Sequence, residues 1–417
     1  MYASFFPFLA VLFGIDIYLW FSIKHKISEI KPFLSFSITF LYWAPLFFFM
    51  IVSIISLIYP INNWTTGWRT YPIGIVMSIY FAKLFSVLFL LIADLIKVFR
   101  HLFLFIRQKK SKKEKLPEKK INRAKFIQNI GLLAGGFVLS GLIIGMVRWA
   151  YDFRIRQLEV CLPKLPANFR KLKIVQISDI HLGSWTSKAA IYEAVDLINQ
   201  LDPDLVFFTG DMVNFTSKET VGFKDALEKI KARYGIYAVL GNHDFGDYIN
   251  WDTDEAKQEN LQELEDFYSE IGWKLLRNSN ETIKIDGQSF SIIGVDNWSK
   301  IKRFPKYGDL KKASLGTENS DVKLLLSHDP THWETQVTKD FSSIDLTFAG
   351  HTHGFQFGLE LKNFKWSPAQ YMYKFWAGLY SKGPQYLYVN RGLGNIAYPG
   401  RVGILPEITL ITVKSCY

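Results

Sequence analysis

The sequence is poor in cysteine and in charge. Its 417 residues hold two cysteines, Cys161 and Cys416. That number excludes a disulfide-dense scaffold and a cysteine-rich zinc module. Only 21% of the residues are charged, against 49% hydrophobic and 16% aromatic, which excludes a disordered or collagen-like chain. A formal net charge of +11 suggests a polyanionic partner, but its distribution removes the suggestion. Residues 1–150 hold 18 Lys and Arg against 5 Asp and Glu, and residues 151–417 hold 31 against 33. The second part therefore lacks the general basic charge that a nucleic-acid-binding domain carries, and no nucleic-acid partner is expected.

What the first part has instead is four long apolar runs. Met1–Ile23 carries one charge, Asp16; Phe36–Tyr59 carries none; Pro72–Ile96 carries Lys83 and Asp94; Phe126–Val147 carries none. Each is long enough to cross a hydrocarbon core of about 30 Å, which takes roughly 20 helical residues. The expected organisation is three transmembrane helices in 1–106, a basic cytoplasmic loop in 107–128, a fourth, signal-anchor-like helix in 129–150, and a separate domain in 151–417. Orientation follows from loop charge. Between Lys97 and Lys125 there are twelve Lys and Arg against Glu114 and Glu118, whereas the second loop carries only Arg69. The positive-inside rule places the first and third loops in the cytoplasm and everything after Tyr151 on the exoplasmic side. The chain reads as a multi-pass integral membrane protein. Lys83 and Asp94 lie about three helical turns apart on one face, and with Asp16 they are expected to form a buried intramembrane pair.

From Leu172 onward the pattern alternates. Strands are expected at Leu172–Ile177, Leu205–Thr209, Ile236–Leu240, Ser291–Val295, Val322–Leu326, Leu346–Ala349, Tyr386–Val389 and Ile408–Val413. Helices are expected at Ser187–Leu201, Lys218–Ala232 and Glu255–Ile271. This is an α/β layered domain. Five of the strands run directly into polar motifs: Ser178-Asp179-Ile180-His181, Gly210-Asp211-Met212-Val213-Asn214, Gly241-Asn242-His243-Asp244, Ser327-His328-Asp329-Pro330 and Gly350-His351-Thr352-His353-Gly354. Ligand sites of open α/β sheets lie beyond the carboxyl ends of the strands. One Asp-x-His is commonplace, but five such strand ends in one domain point to a single polar site.

Carboxylate and amide oxygens mixed with imidazole suit two divalent ions of Mn, Fe or Zn. Residues i and i+2 of an extended strand point the same way, so Asp179 is expected beside His181, and His351 beside His353. One carboxylate can bridge two ions 3.5–4 Å apart, and a hydroxide held between such ions is a strong nucleophile at neutral pH.

The array resembles the calcineurin-like, or purple acid phosphatase-type, metallophosphoesterases over Leu172–Val413. The run Tyr388-Val389-Asn390-Arg391-Gly392-Leu393-Gly394, with Pro399-Gly400-Arg401 and Pro406-Glu407-Ile408, is similar to the tail of the membrane-anchored YkuE/YaeI-like subgroup. The resemblance implies a four-layer αββα sandwich preceded here by four transmembrane helices, and a metal-dependent phosphoesterase. It implies that Asp179, His181, Asp211 and His353 hold the first metal. Asp211 bridges to the second, which Asn242, His328 and His351 complete. His243 protonates the leaving oxygen, Asp244 orients His243, and Asn214 gives support from behind. Arg391 and Arg401 either clamp a phosphate or form structural ion pairs. The aromatic segment Trp366, Tyr371, Tyr373, Phe375, Trp376 and Tyr380 is either an apolar lip for an acyl chain or core. The expected substrate is a phosphate or pyrophosphate ester, with attachment to a lipid as the narrower expectation and the membrane as the second partner. A nuclease or phosphodiesterase acting on nucleotides, and a non-catalytic membrane sensor, are the alternatives. A complete ligand set disfavours the sensor.

Overall fold

The computed structural model describes residues 2–59, 64, 66–108, 123–165, 171–285, 288–362 and 364–415. Most of the basic loop expected at 107–128, and Cys416, lie outside the described residues. The chain divides into two compact units, residues 1–144 and 145–417.

The first unit contains α1 (Tyr2–Ser28), α2 (Pro32–Ile58), α3 (Thr66–Gln108) and the larger part of α4 (Arg123–Val147). All four are long and apolar enough to cross a membrane. The third runs past the expected end at Ile96, because the Lys and Arg that follow favour helix as well as loop. Close approach of α3 and α4 depends on small residues. The Ser86 hydroxyl donates to the Gly131 carbonyl (3.1 Å), and a Cβ on Gly135 would meet Ser86 Oγ at 2.0 Å. This is the small-xxx-small packing that lets helix backbones touch in lipid.

A buried polar cluster ties α1, α2 and α3. Lys83 Nζ donates to Asp16 Oδ1 (2.6 Å) and to the Tyr42 carbonyl (3.0 Å). The Tyr80 hydroxyl donates to Asp16 Oδ2 (2.6 Å), and the Tyr42 hydroxyl to the Asp16 carbonyl (2.6 Å). Asp94 is not part of it. It pairs with Lys97 (2.7 Å) and accepts from the Tyr18 hydroxyl (2.6 Å) at a more exposed level. Eleven residues of separation keep Lys83 and Asp94 on one face but leave them about 16 Å apart along the axis, too far to share a partner.

The second unit has two six-stranded sheets. In chain order the strands are β1 (Arg154–Cys161), β2 (Lys171–Ile177), β3 (Leu205–Phe208), β4 (Ile236–Ala238), β5 (Lys274–Leu275), β6 (Ser279–Ile285), β7 (Gln288–Val295), β8 (Val322–Ser327), β9 (Leu346–Ala349), β10 (Leu359–Leu361), β11 (Phe364–Trp366), β12 (Gly378–Lys382), β13 (Gln385–Val389) and β14 (Glu407–Lys414). One sheet has the order β1-β14-β2-β3-β4-β5 and the other β12-β13-β9-β8-β7-β6; β10 and β11 form a separate hairpin. Ile174, Leu205, Phe207 and Ile411 of the first sheet meet Phe290, Leu324, Leu346 and Phe348 of the second in one buried core. The outer face of the first sheet is covered by α5 (Ala189–Gln200), α6 (Lys224–Leu227) and α7 (Asp254–Glu270). The outer face of the second packs against α8 (Leu310–Ala313) and the turn carrying Trp333 and Val337. The layers are thus αββα.

The eight expected strands form, with ends moved by up to three residues. The helix expected over Lys218–Ala232 does not form as one element. Gly222 has φ +86°, outside the right-handed helical region, and only Lys224–Leu227 is α-helical there. In the first unit, Lys83→Met would strand the Asp16 carboxylate in apolar surroundings and should destabilise the helical unit by about 3 kcal/mol. Adding Asp16→Asn should recover much of that loss. Denaturant unfolding in detergent measures both, and an unchanged midpoint for Lys83→Met would show that the pair contributes nothing.

Candidate active site

The two sheets deliver their polar motifs to one place. Parallel neighbours β2, β3 and β4 end at Asp179, Asp211 and Asn242; parallel neighbours β8 and β9 end at His328 and His351. These ends are not extended. Asp179, His181, Asp211, His351 and His353 all have φ between +49° and +69°. Left-handed backbone is uncommon for such residues, and a cluster of it marks a site where the surrounding structure imposes strain. Convergence therefore comes from left-handed turns and not from strand alternation, and His351 and His353 fall in different groups. Asp179, His181 and His353 form one group, and Asp211, His328 and His351 another.

In the first group His353 Nε2 lies 3.1 Å from Asp179 Oδ1 and 3.0 Å from His181 Nε2. In the second, His328 Nε2 lies 3.1 Å from Asp211 Oδ2, Asn242 Oδ1 and His351 Nδ1 alike. Asp211 Oδ2 is also 3.7 Å from His181 Nε2, so this carboxylate faces both groups. The backbone is fitted around the carboxylates. A Cβ on Gly241 would sit 2.1 Å from Asp211 Oδ1, and one on Gly350 would sit 2.3 Å from Asp179 Oδ2.

The donor set fits a divalent cation on its own chemistry. The His328 Nδ1–H donates to the Thr209 carbonyl (2.7 Å), so Nε2 is the nitrogen turned toward Asp211. Asn242 Nδ2 donates to the Tyr248 hydroxyl (2.7 Å), which turns Oδ1 inward. His351 Nε2 is bonded to the Tyr373 hydroxyl (2.8 Å), which leaves Nδ1 facing the group. Asp211 Oδ2, Asn242 Oδ1, His328 Nε2 and His351 Nδ1 then converge on one point, an arrangement that suits positive charge there, either a proton on His328 or a metal ion in its place. Electrostatics agree. Burial pushes His181 down to about 3 and His351 down to about 4, so both are neutral ligands at pH 7. For His328 burial acts downward, but the Asp211 carboxylate outweighs it and pushes the group up to about 10. Burial likewise opposes ionisation of Asp179 and Asp211, yet the neighbouring imidazoles hold both carboxyls below their usual range.

His243 is only partly buried. Its Nδ1–H donates to the Asn214 carbonyl (2.7 Å), and Nε2 has no protein partner among the described residues. Asp244 does not orient it. The Asp244 carboxylate accepts from the backbone amides of Asp211 (2.9 Å), Met212 (2.8 Å) and Gly241 (2.8 Å), so it fixes the loops that carry Asp211 and Asn242. Support from Asn214 comes through its main chain.

Arg391 and Arg401 are both buried, and Arg401 Nη2 lies 3.4 Å from His353 Nδ1. Arg391 pairs with Glu407 (2.5 Å) and Glu360 (2.6 Å). Arg401 donates to the carbonyls of Arg391 (2.9 Å), Gly392 (3.1 Å) and Gly394 (2.6 Å). That turn holds the first group in place, since the Gly394 amide donates to the Asp179 carbonyl (2.8 Å). Of the two readings left open for these arginines, the geometry selects the structural one.

A model described as calcineurin-like phosphoesterase matches residues 172–355. A second, described as a probable calcineurin-like phosphoesterase transmembrane domain, matches residues 2–149. The metallophosphoesterase YkuE of Bacillus subtilis is 31% identical over 306 residues, covering 71% of this chain and 99% of its own. The chain belongs to the calcineurin-like phosphoesterases. It is a membrane-associated, metal-dependent phosphoesterase. A transmembrane protein with metallophosphoesterase domain from Danio rerio is 29% identical over 281 residues; the match covers 65% of this chain and 60% of the fish protein's length.

Beside the two groups stand Tyr248 and Asp329, for which no role was expected, and Tyr373, expected only as part of the aromatic segment. Tyr248 packs on His243 (ring centroids 4.4 Å) while bonded to Asn242. Tyr373 is bonded to His351, and Asp329 Oδ2 lies 3.5 Å from His351 Nε2. Asp329 is legible in the Ser-His-Asp-Pro motif; the tyrosines carry no motif. The aromatic segment divides. Tyr373 and Trp376 are buried with Ala369 and Ile404, and Phe375 and Tyr380 pack on the second sheet's core. The exposed apolar residues are instead Phe355, Phe357, Leu359, Leu361, Phe364 and Tyr371.

Proposed function

We propose that this phosphoesterase hydrolyses a phosphate or pyrophosphate ester attached to a lipid, outside the cytoplasm. The observation that carries the reaction is Asp211 facing two groups of ligand atoms at once. Asp179, His181, Asp211 and His353 would hold one divalent ion of Mn, Fe or Zn; Asp211, Asn242, His328 and His351 would hold the other. Two such ions supply positive charge to phosphoryl oxygens and lower the pKa of bound water. His243 gives its proton to the departing oxygen. Its Nδ1 bond to the Asn214 carbonyl leaves Nε2 for that role. Asp244 keeps the two loops in register through their amides.

The lipid reading rests on the exposed apolar residues. Phe355 meets Tyr373 edge-on (6.3 Å), and Tyr373 touches His351; Phe357 continues to Trp366 on the β10–β11 hairpin (6.5 Å). An apolar path thus leads outward from the metal groups, while four apolar helices keep the chain among membrane-resident substrates. Orientation rests on the twelve Lys and Arg between Lys97 and Lys125.

Asp211→Ala is expected to lose metal and activity together. His243→Ala should keep both metals and turn over about 10²–10⁴ times more slowly. Metal content and rate measured on the same preparations decide this, and full activity after exhaustive chelation would refute the metal-dependent reading.

For the substrate, kcat/KM should rise with acyl length across pyrophosphate esters that are otherwise identical, by up to about 0.8 kcal/mol per contacted methylene. Phe355→Ala should weaken the long-chain member selectively. Equal rates for short and long chains would remove the lipid. A reporter fused after Tyr151 should read outside the cytoplasm and one near Lys112 inside; the reverse pattern would invert the topology.

A further inference from the structure

The nearly neutral second unit has a concentrated basic segment that the reaction does not use. Between β7 and α8 the chain runs Ser299-Lys300-Ile301-Lys302-Arg303-Phe304-Pro305-Lys306, and all four cations are exposed. None of them has a carboxylate partner among the described residues. The loop is nevertheless built. Buried Asn297 donates from Nδ2 to the Pro305 carbonyl (2.9 Å), and its own carbonyl accepts from the amides of Tyr307 (2.8 Å) and Gly308 (3.1 Å). The Lys300 amide donates to Thr331 Oγ1 (2.9 Å). A Cβ on Gly308 would meet the Asp296 carbonyl at 2.5 Å, so the turn is closely fitted.

Its position is fixed by Phe304. That buried ring meets His351 edge-on (4.7 Å), and the Arg303 guanidinium lies over the Phe304 ring, 4.7 Å from its centroid. Arg303 also acts electrostatically on Tyr248 and Tyr373, the two phenols bonded to Asn242 and His351. An unpaired guanidinium, stacked on an aromatic ring and flanked by three lysines, therefore stands beside the second metal group. Guanidinium matches phosphate oxygens with two parallel donors, and stacking holds its plane in advance.

We propose that the 300–306 loop, led by Arg303, is a subsite for a second anionic group, so that the preferred substrate carries a phosphate or like anion beyond the one that is cleaved. This rests on the dimetal reading above and narrows its substrate class. A simple phosphomonoester would leave the loop unused, whereas a pyrophosphate or a doubly phosphorylated head group would engage it.

The test uses the full chain, loaded with Mn²⁺ in a zwitterionic detergent, and two ligands differing by one anion: methylphosphonate and methylenediphosphonate. Calorimetry should show preference for the diphosphonate. Arg303→Ala should reduce that preference about tenfold, the scale of one charge-assisted contact, and Arg303→Lys should restore part of it, with metal content unchanged in both. If both ligands bind but the preference is the same in Arg303→Ala, the subsite is overturned while the dimetal reading stands. If the metal-loaded chain binds neither ligand, both fall. Hydrolysis in phosphatidylcholine vesicles with and without phosphatidylglycerol separates the other source of anions. A dependence on phosphatidylglycerol that Arg303→Ala abolishes, with the diphosphonate preference intact, would assign the loop to the lipid surface and overturn the proposal.

Discussion

The structure of the second unit depends on one electrostatic constraint: two carboxylates, four imidazoles and an amide, almost all buried, crowd within a few ångströms of one another. Asp211 sits at the centre, facing His328 at 3.1 Å and His181 at 3.7 Å. Such crowding of acceptors is costly without positive charge. It also demands an accurate backbone, because a carboxylate displaced by one ångström would face only one group. The left-handed turns at five ligand positions, and the glycines at 241 and 350, are local consequences of that demand.

The residues behind the ligands supply the accuracy. Asp244 gathers amides from two loops, so that the ends of β3 and β4 move together. Arg401 gathers carbonyls from the 391–394 turn, whose amides in turn hold the β2 end. An acid collects donors and a base collects acceptors, one on each side of the site. Both are charged and buried in a polar motif, the pattern by which a sequence announces catalysis, yet their charge is consumed by main-chain groups. Partners, not residue type, set the role of a buried charge.

The membrane unit solves a related problem with opposite means. Asp16 and Lys83 neutralise each other and are further bonded by Tyr80 and Tyr42, so every strong polar group in the cluster is matched. In lipid an unmatched charge has no water to fall back on. The cluster thus fixes how three otherwise uniform apolar helices meet, a choice that apolar contacts alone leave degenerate.

Much was legible in the sequence because the relevant signals are local. Apolar length and loop charge define four spans, and an apolar run ending in Asp, Asn or His defines a strand carrying a ligand. Asp179, His181, Asp211, Asn242, His328, His351 and His353 could be named that way, since each motif is read within a few residues. What the tertiary structure alone decided is everything set by contact between distant segments. The division of His351 and His353 between two groups follows from left-handed turns, not from strand alternation. Tyr248, Tyr373 and Arg303 reach the site from loops with no motif, and Trp376 enters the core while Phe355 stays exposed. Local pattern states which groups a segment offers; which partner satisfies each group is set by packing across the fold, where a few ångströms separate a ligand from a strut.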